Sequence, residues 1–324
     1  MTPSPERYTV EHETHYAYTA PVSQSWQLAR LTPRMLPWQR LLSHSVQIDP
    51  PADERRDELD CFGNMVTHFG LHGAHRMLRV RMECLVEVSA RPPVDGGAMT
   101  SSQPQSQSQS LGTMTQTQSL QPAVPFVPLS WEAVRDAIRR EPQQDDLVPA
   151  SMCEPTPLVP LSEGARLYAR TALAPGRDWF ESISALTQAI HDDFEFEAGA
   201  TTVSTSVDEV LYQRRGVCQD FAHLMIACLR GHGLPARYVS GYLLTDPPPG
   251  QPRLLGVDAS HAWVAAYSPA HGWVEFDPTN NQLADERYIT LAWGADFADV
   301  VPLRGVILGG GEQQLDVSVS VTPV

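Results

Sequence analysis

Apolar and polar positions alternate along two long stretches near the start of the chain. Tyr8, Val10, His12, Thr14, Tyr16 and Tyr18 interleave with Thr9, Glu11, Glu13, His15 and Ala17. Leu78, Val80, Met82, Cys84, Val86 and Val88 alternate with mostly charged neighbours. A period of two is the mark of a half-buried strand. Together with Val46 and Ile48 and the turn at Phe62-Gly63-Asn64, these runs predict an antiparallel β-sandwich over residues 5–92. Residues 93–123, with the run Ser101-Ser102-Gln103-Pro104-Gln105-Ser106-Gln107, hold almost nothing to bury and read as a disordered linker.

Beyond the linker the period becomes helical. Trp131, Val134 and Ile138 follow a Ser130 cap, residues 165–172 form a second helix, and Trp179 to His191 a third that leads into Phe194 and Phe196. A helical turn begins at Ser206 or Asp208, and residues 237–244 read as a strand. Residues 124–310 are therefore expected to form a second domain of helices packed on an antiparallel sheet, giving an α+β chain. In residues 311–324, Leu315, Val317, Val319 and Val321 alternate with polar positions and predict a final strand that closes a sheet the pattern does not identify.

One hairpin brings chemistry with it. Ala262 and Val264 alternate with His261 and Trp263, and Val274 and Phe276 alternate with Trp273, Glu275 and Asp277, across the turn-rich segment Tyr267-Ser268-Pro269-Ala270-His271-Gly272. Closing the turn at Pro269 pairs Trp273 with Ala265, Glu275 with Trp263 and Asp277 with His261, so carboxylate and imidazole share a face. A slip of one residue would separate them. Upstream, Arg215-Gly216-Val217-Cys218-Gln219-Asp220-Phe221 places Cys218 in the first turn of a strongly apolar helix that ends at Gly231 and Gly233. Unpaired amides and the positive end of a helix favour a thiolate there, and the Cys218 N–H is a candidate oxyanion donor. Thiol, imidazole and orienting carboxylate are the parts of a cysteine acyl-transfer enzyme.

These segments, with Gly233-Leu234-Pro235-Ala236-Arg237-Tyr238, His261-Ala262-Trp263 and Phe276-Asp277-Pro278-Thr279, resemble the transglutaminase-like superfamily of papain-type cysteine acyltransferases, in its bacterial two-domain branch. The amino-terminal stretch is similar to that branch's accessory domain through Tyr8 to Tyr18, Pro21-Val22, Leu31-Thr32-Pro33-Arg34 and Asp60-Cys61-Phe62-Gly63-Asn64. The resemblance implies a Cys218 nucleophile, a His261 base and an Asp277 orienter. Gln213 precedes the cysteine as a candidate oxyanion or substrate-binding side chain, at an offset that departs from the papain-type glutamine.

Other candidates have plainer readings. Trp263 and Trp273 share the His261 face and either wall an acyl slot or pack across strands. His223 lies five residues beyond Cys218, about 140° around the helix, which suits packing better than base catalysis. Asp220 and Asp258 are candidate neighbours of the site; Cys228, Cys61, Cys84 and Cys153 read as structural. No spacing among Cys218, His223, His261 and Asp277 suggests a metal, and no cofactor motif is present.

Composition narrows the partners. The 324 residues carry a formal charge of −15, which disfavours nucleic acid and anionic membrane and leaves a protein or peptide substrate. All 23 basic residues are arginine, a bias that genome composition or avoidance of self-modification would each produce. Five cysteines without paired spacing, no basic-then-apolar leader and no long apolar span fit a reducing cytoplasm. The expected chemistry is cysteine-dependent transfer or hydrolysis at glutamine or peptide amides through a thioester; the alternative is a catalytically silent peptide-binding module on the same fold.

Overall fold

The computed structural model describes residues 5–92, 129–140, 147–245 and 260–324. The expected linker at 93–123 and Asp258 lie outside them.

The amino-terminal part is built on one strand of unusual length, β1 (Glu6–Ala29), followed by β2 (Gln39–Asp49), β3 (Glu54–Leu59), β4 (Met65–Leu71) and β5 (His75–Val88). The alternation read from the sequence is the burial pattern observed, with Tyr8, Val10, Leu78, Val80, Met82 and Val86 all inward. The antiparallel order is β2-β5-β1-β4-β3, and β1 changes partners midway: its first half pairs β5, its second β4, with a register shift between Ala17 and Val22.

Helices and a second sheet follow: α1 (Trp131–Arg139), α2 (Leu147–Ser151), α3 (Glu163–Tyr168), α4 (Trp179–Asp193), β6 (Glu195–Phe196), α5 (Val207–Gln213), β7 (Arg215–Gly216), α6 (Cys218–Gly231), β8 (Ala236–Leu243), β9 (Ser260–Ser268), β10 (Gly272–Asp277), β11 (Gln282–Leu283) and β12 (Tyr288–Gly294). Ser130, Ser162, Asp178 and Ser206 cap their helices by accepting backbone N–H bonds. The five-stranded sheet runs β11-β10-β9-β8-β12, and α6 is buried on every side from Asp220 to Arg230. One face of this sheet packs on the helices through Val264, Val274 and Phe276, while Tyr242, Ile289 and Leu291 enter the core of the amino-terminal sheet. The result is the α+β architecture expected.

Two expectations change. The chain returns to the first sheet before its end: β13 (Leu303–Gly309) pairs with the second half of β1, and β14 (Gln313–Pro323) with the first half. Residues 303–310 thus leave the domain assigned to 124–310, and the amino-terminal sheet extends beyond residues 5–92 to enclose the rest of the chain between its strands. The last strand finds its place by covering the edge of β1 with Val319 and Val321. The hairpin register also differs: Trp273 pairs with Tyr267, Val274 with Ala266, Glu275 with Ala265 and Phe276 with Val264. The turn is centred on Ala270, one residue past Pro269, so every pairing moves by two. Because side chains alternate with period two, His261 and Asp277 keep a common face and meet diagonally instead of directly.

No described helix is long and apolar enough to cross a membrane. Among the described residues, no three His, Cys, Asp or Glu side chains cluster as a metal site, and all five cysteines are free thiols.

Candidate active site

Three elements converge. Cys218 is the first residue of α6, so its N–H lacks an intrahelical acceptor and faces outward from the helix start. The turn before it is held by Asp220, whose Oδ2 accepts the Val217 N–H at 2.8 Å and the Thr201 hydroxyl at 2.6 Å. Burial raises the Asp220 pKa, against the pull of those two hydrogen bonds. Gly216 is obligatory beside it: a Cβ there would stand 2.7 Å from Asp220 Oδ2. Asp220 thus braces the turn that leads into α6, two residues from the cysteine.

His261 stands near the start of β9 and Asp277 at the end of β10. His261 Nε2 is 2.7 Å from Asp277 Oδ2, and the Cys218 thiol is a neighbour that acts on the same ring. With Nε2 taken by the carboxylate, Nδ1 is the nitrogen left for sulfur. Burial opposes a charged ring, but the hydrogen bonds to Asp277 and Cys218 and their charge outweigh it and push the His261 pKa up to about 10. The ring packs against Trp263 and Tyr288, each with its centroid 6.1 Å away and the two themselves 5.2 Å apart.

Asp277 is completely buried and fully used. Oδ1 accepts the N–H of Thr279 at 2.8 Å and of Asn280 at 3.2 Å, while Oδ2 accepts the Asn280 amide and the Tyr288 hydroxyl, each at 2.6 Å, besides His261. Burial alone would raise its pKa; His261 and these donors reverse the direction and hold it low. Asn280 and Tyr288 escaped the sequence reading. Asn280 had a local signal, since an Asp followed by Pro-Thr-Asn favours a turn that folds donors back on its carboxylate, whereas Tyr288 arrives from a different strand.

The remaining candidates fall elsewhere. Gln213 donates from its amide to Glu209 Oε1 at 2.9 Å on the surface of α5, an i,i+4 helix contact that commits it away from the sulfur. Trp263 is wholly buried and donates to Glu275 Oε2 at 3.0 Å, so it backs the imidazole and lines no open slot. Trp273 sits four residues from Asp277, about 13 Å along the strand, and packs between Tyr267 and the Arg237 guanidinium, 4.2 Å above its ring. His223 is buried, accepts the Phe297 N–H at 3.2 Å, and is pushed down to about 4 by burial. The Cys228 thiol donates to the Ala165 carbonyl, and burial raises its pKa.

The amino-terminal sheet grips the free edge of the second sheet. Gln39 accepts the Thr290 N–H and donates to the Thr290 carbonyl, both at 2.7 Å; Asn64 does the same to Trp293, at 3.0 and 2.8 Å. The Arg34 guanidinium lies 3.5 Å above the Trp293 ring. Arg91, just past β5, reaches the buried Glu275 carboxylate at 2.9 Å. The strand so fixed is β12, which begins with Tyr288.

Comparison with known proteins follows the same division. The description "bacterial transglutaminase-like N-terminal region" matches residues 8–87, and "transglutaminase-like superfamily" matches residues 167–278. An uncharacterised protein of Mycobacterium tuberculosis is 40% identical over 98% of this chain and 93% of its own length. A protein-glutamine gamma-glutamyltransferase of Pseudomonas aeruginosa is 37% identical over 32% of this chain and 16% of its own length. A candidate cysteine protease from Cytophaga hutchinsonii shares the fold, with a TM-score of 0.71 at 17% identity over 100% of this chain and 92% of that one.

Proposed function

The chain belongs to the transglutaminase-like superfamily, and on that footing we propose that it is a cysteine-dependent enzyme acting on glutamine side-chain or peptide amides through a thioester. The observation that carries this reading is the 2.7 Å contact of His261 with a fully buried Asp277, with the thiol at the start of α6 among the groups that act on the same ring. His261, its pKa pushed up to about 10, is the group that takes the sulfur's proton as sulfur becomes the nucleophile. Sulfur attacks the carbonyl carbon, and the oxyanion forms against the Cys218 N–H. As the C–N bond breaks, His261 passes its proton to the departing amine and leaves the acyl group on sulfur. Neutral His261 then takes a proton from water or from a second amine, whose attack releases acid or a new amide and restores the thiolate. Asp277 holds the ring in the tautomer both halves require.

Incubation with a glutamine peptide and a labelled primary amine, scored by mass for ammonia, free acid and amide adduct, tests it. Cys218→Ala is expected to lower all three products by about 10³-fold or more. Equal turnover by both proteins would end the thiol mechanism, and acid without adduct would assign the acceptor to water.

A further inference from the structure

A second cleft, of about 740 Å³, opens far along the chain from the triad, where β13 and β14 diverge from β1. Tyr16, Tyr18, Gln27, Gly305, Glu312 and Gln313 line it. Its size is that of a small-molecule site. Gln27 is only 7% exposed as a residue, and its side-chain amide opens into the cleft with no protein hydrogen-bond partner among the described residues. An amide placed this way is free to bond to whatever occupies the cleft.

The surroundings are shaped around that amide. Gly305 lies directly opposite Gln27 on β13, and a Cβ there would stand 2.1 Å from Gln27 Oε1. The absent side chain is what lets the amide lie over the neighbouring strand at the cleft wall. The turn joining β13 to β14 uses Gly309, Gly310 and Gly311, all at positive φ, and leaves the rim without side chains beside Tyr18. Tyr16 and Tyr18 present parallel rings, 2° apart in plane with centroids 6.2 Å apart.

We propose that this cleft is a binding site for a neutral carbohydrate. Aromatic rings supply the flat apolar surface that the C–H face of a pyranose covers. The amides of Gln27 and Gln313 and the two phenols donate and accept, and Glu312 accepts, which suits vicinal hydroxyls. No arginine or histidine lines the cleft, so phosphate and carboxylate ligands find no counter-charge there. A peptide would instead add along the outer edges of β13 and β14, which pair only with β1 among the described strands, and would not depend on the side-chain amides within the cleft.

The test is calorimetric titration of the full chain with chitotriose, maltotriose and cellotriose, and separately with a glutamine hexapeptide. One of the trisaccharides is expected to bind the wild type and the Cys218→Ala protein equally. Gln27→Leu should weaken that binding at least tenfold while leaving Cys218-dependent amide turnover unchanged. Tyr16→Ala, at a half-exposed position that tolerates truncation, should weaken it as well. Absence of binding by all three sugars, or binding that survives both substitutions, overturns the proposal. Peptide binding that Gln27→Leu abolishes would overturn the assignment to sugar.

Discussion

Asp277 on β10 and Gln27 on β1 are both polar residues with little exposed surface, and they are treated in opposite ways. The Asp277 carboxylate receives five hydrogen bonds, from His261, Tyr288, Thr279 and twice from Asn280. The Gln27 amide receives none among the described residues and looks into a cleft. A buried polar group whose lone pairs are all engaged has one orientation and serves as a fixed part; one that opens into a cleft without protein partners stays available to water or to a ligand. The difference separates a place built to hold a proton-transfer geometry from a place that stays open.

The most damaging way to break the first arrangement is to keep its shape and remove its charge. In Asp277→Asn the side chain fits the same cavity, but its amide offers a donor where Tyr288, Asn280 and His261 already donate. His261 loses its anion and its tautomer, and turnover of the glutamine peptide should fall by about 10²- to 10⁴-fold with an unchanged circular dichroism spectrum. Retention of more than a tenth of the activity would show that Asp277 does not orient the ring.

Next in size is the tie between the two sheets. Arg91→Ala leaves the Glu275 carboxylate buried with only the Trp263 indole N–H, and loss of one member of a buried pair costs about 3–5 kcal/mol. The urea midpoint should drop accordingly, and because Trp263 backs the imidazole, activity should fall beyond what the lost stability explains. A change below about 1 kcal/mol would mean that the seam is held by Gln39, Asn64, Arg34 and the apolar contacts of Tyr242, Ile289 and Leu291 without help from Arg91.

That seam also marks the limit of what the letters revealed. The hairpin was legible because period two fixes which residues share a face whether the turn is centred on Pro269 or Ala270, so an error of two in register left His261 and Asp277 together. Cys218 was legible because Gly216 and the apolar run that follows define a helix start locally. By contrast, the return of β13 and β14 to β1 depends on pairing between residues about 300 apart, such as Val10 with Val321, which no local pattern encodes. Gln39 and Asn64 act on Thr290 and Trp293 for the same reason unseen. The isolated reading of Gln213 failed because proximity in sequence to Cys218 said nothing about Glu209, one helical turn away, which takes its amide.

Acid and alkali pull on different histidines and give a smaller effect with a defined sign. Burial pushes His12 and His223 down to about 4 in the folded chain, so the unfolded chain, with imidazoles near 6.5, binds more protons between those values. Stability should therefore fall as pH drops below about 6.5, by about 2 kcal/mol per ring at pH 5. His261 works the other way: its raised pKa contributes stability that is complete below about 6.5 and is lost as pH climbs towards about 10. Urea midpoints measured across this range should show a maximum between the two limbs. His12→Asn should flatten the acid limb only, and His261→Asn the alkaline limb only; a single limb insensitive to both would break the assignment.

The finest test sets one hydroxyl against one amide. Tyr288→Phe removes a single donor from Asp277, which keeps its other four, so the expected cost is about 1 kcal/mol of stability and a few-fold in turnover, with the alkaline edge of the pH profile moved as His261 takes a larger share of the charge. Gln27→Leu removes an amide that has no protein partner among the described residues, and Leu fills a similar volume over Gly305, so the melting temperature should hold or rise. Opposite signs from two substitutions that each delete buried polar atoms would establish that the two regions differ in what they are built for. Equal losses would mean that Gln27 has an internal role, as Tyr288 does, and that the cleft beside it is a packing gap.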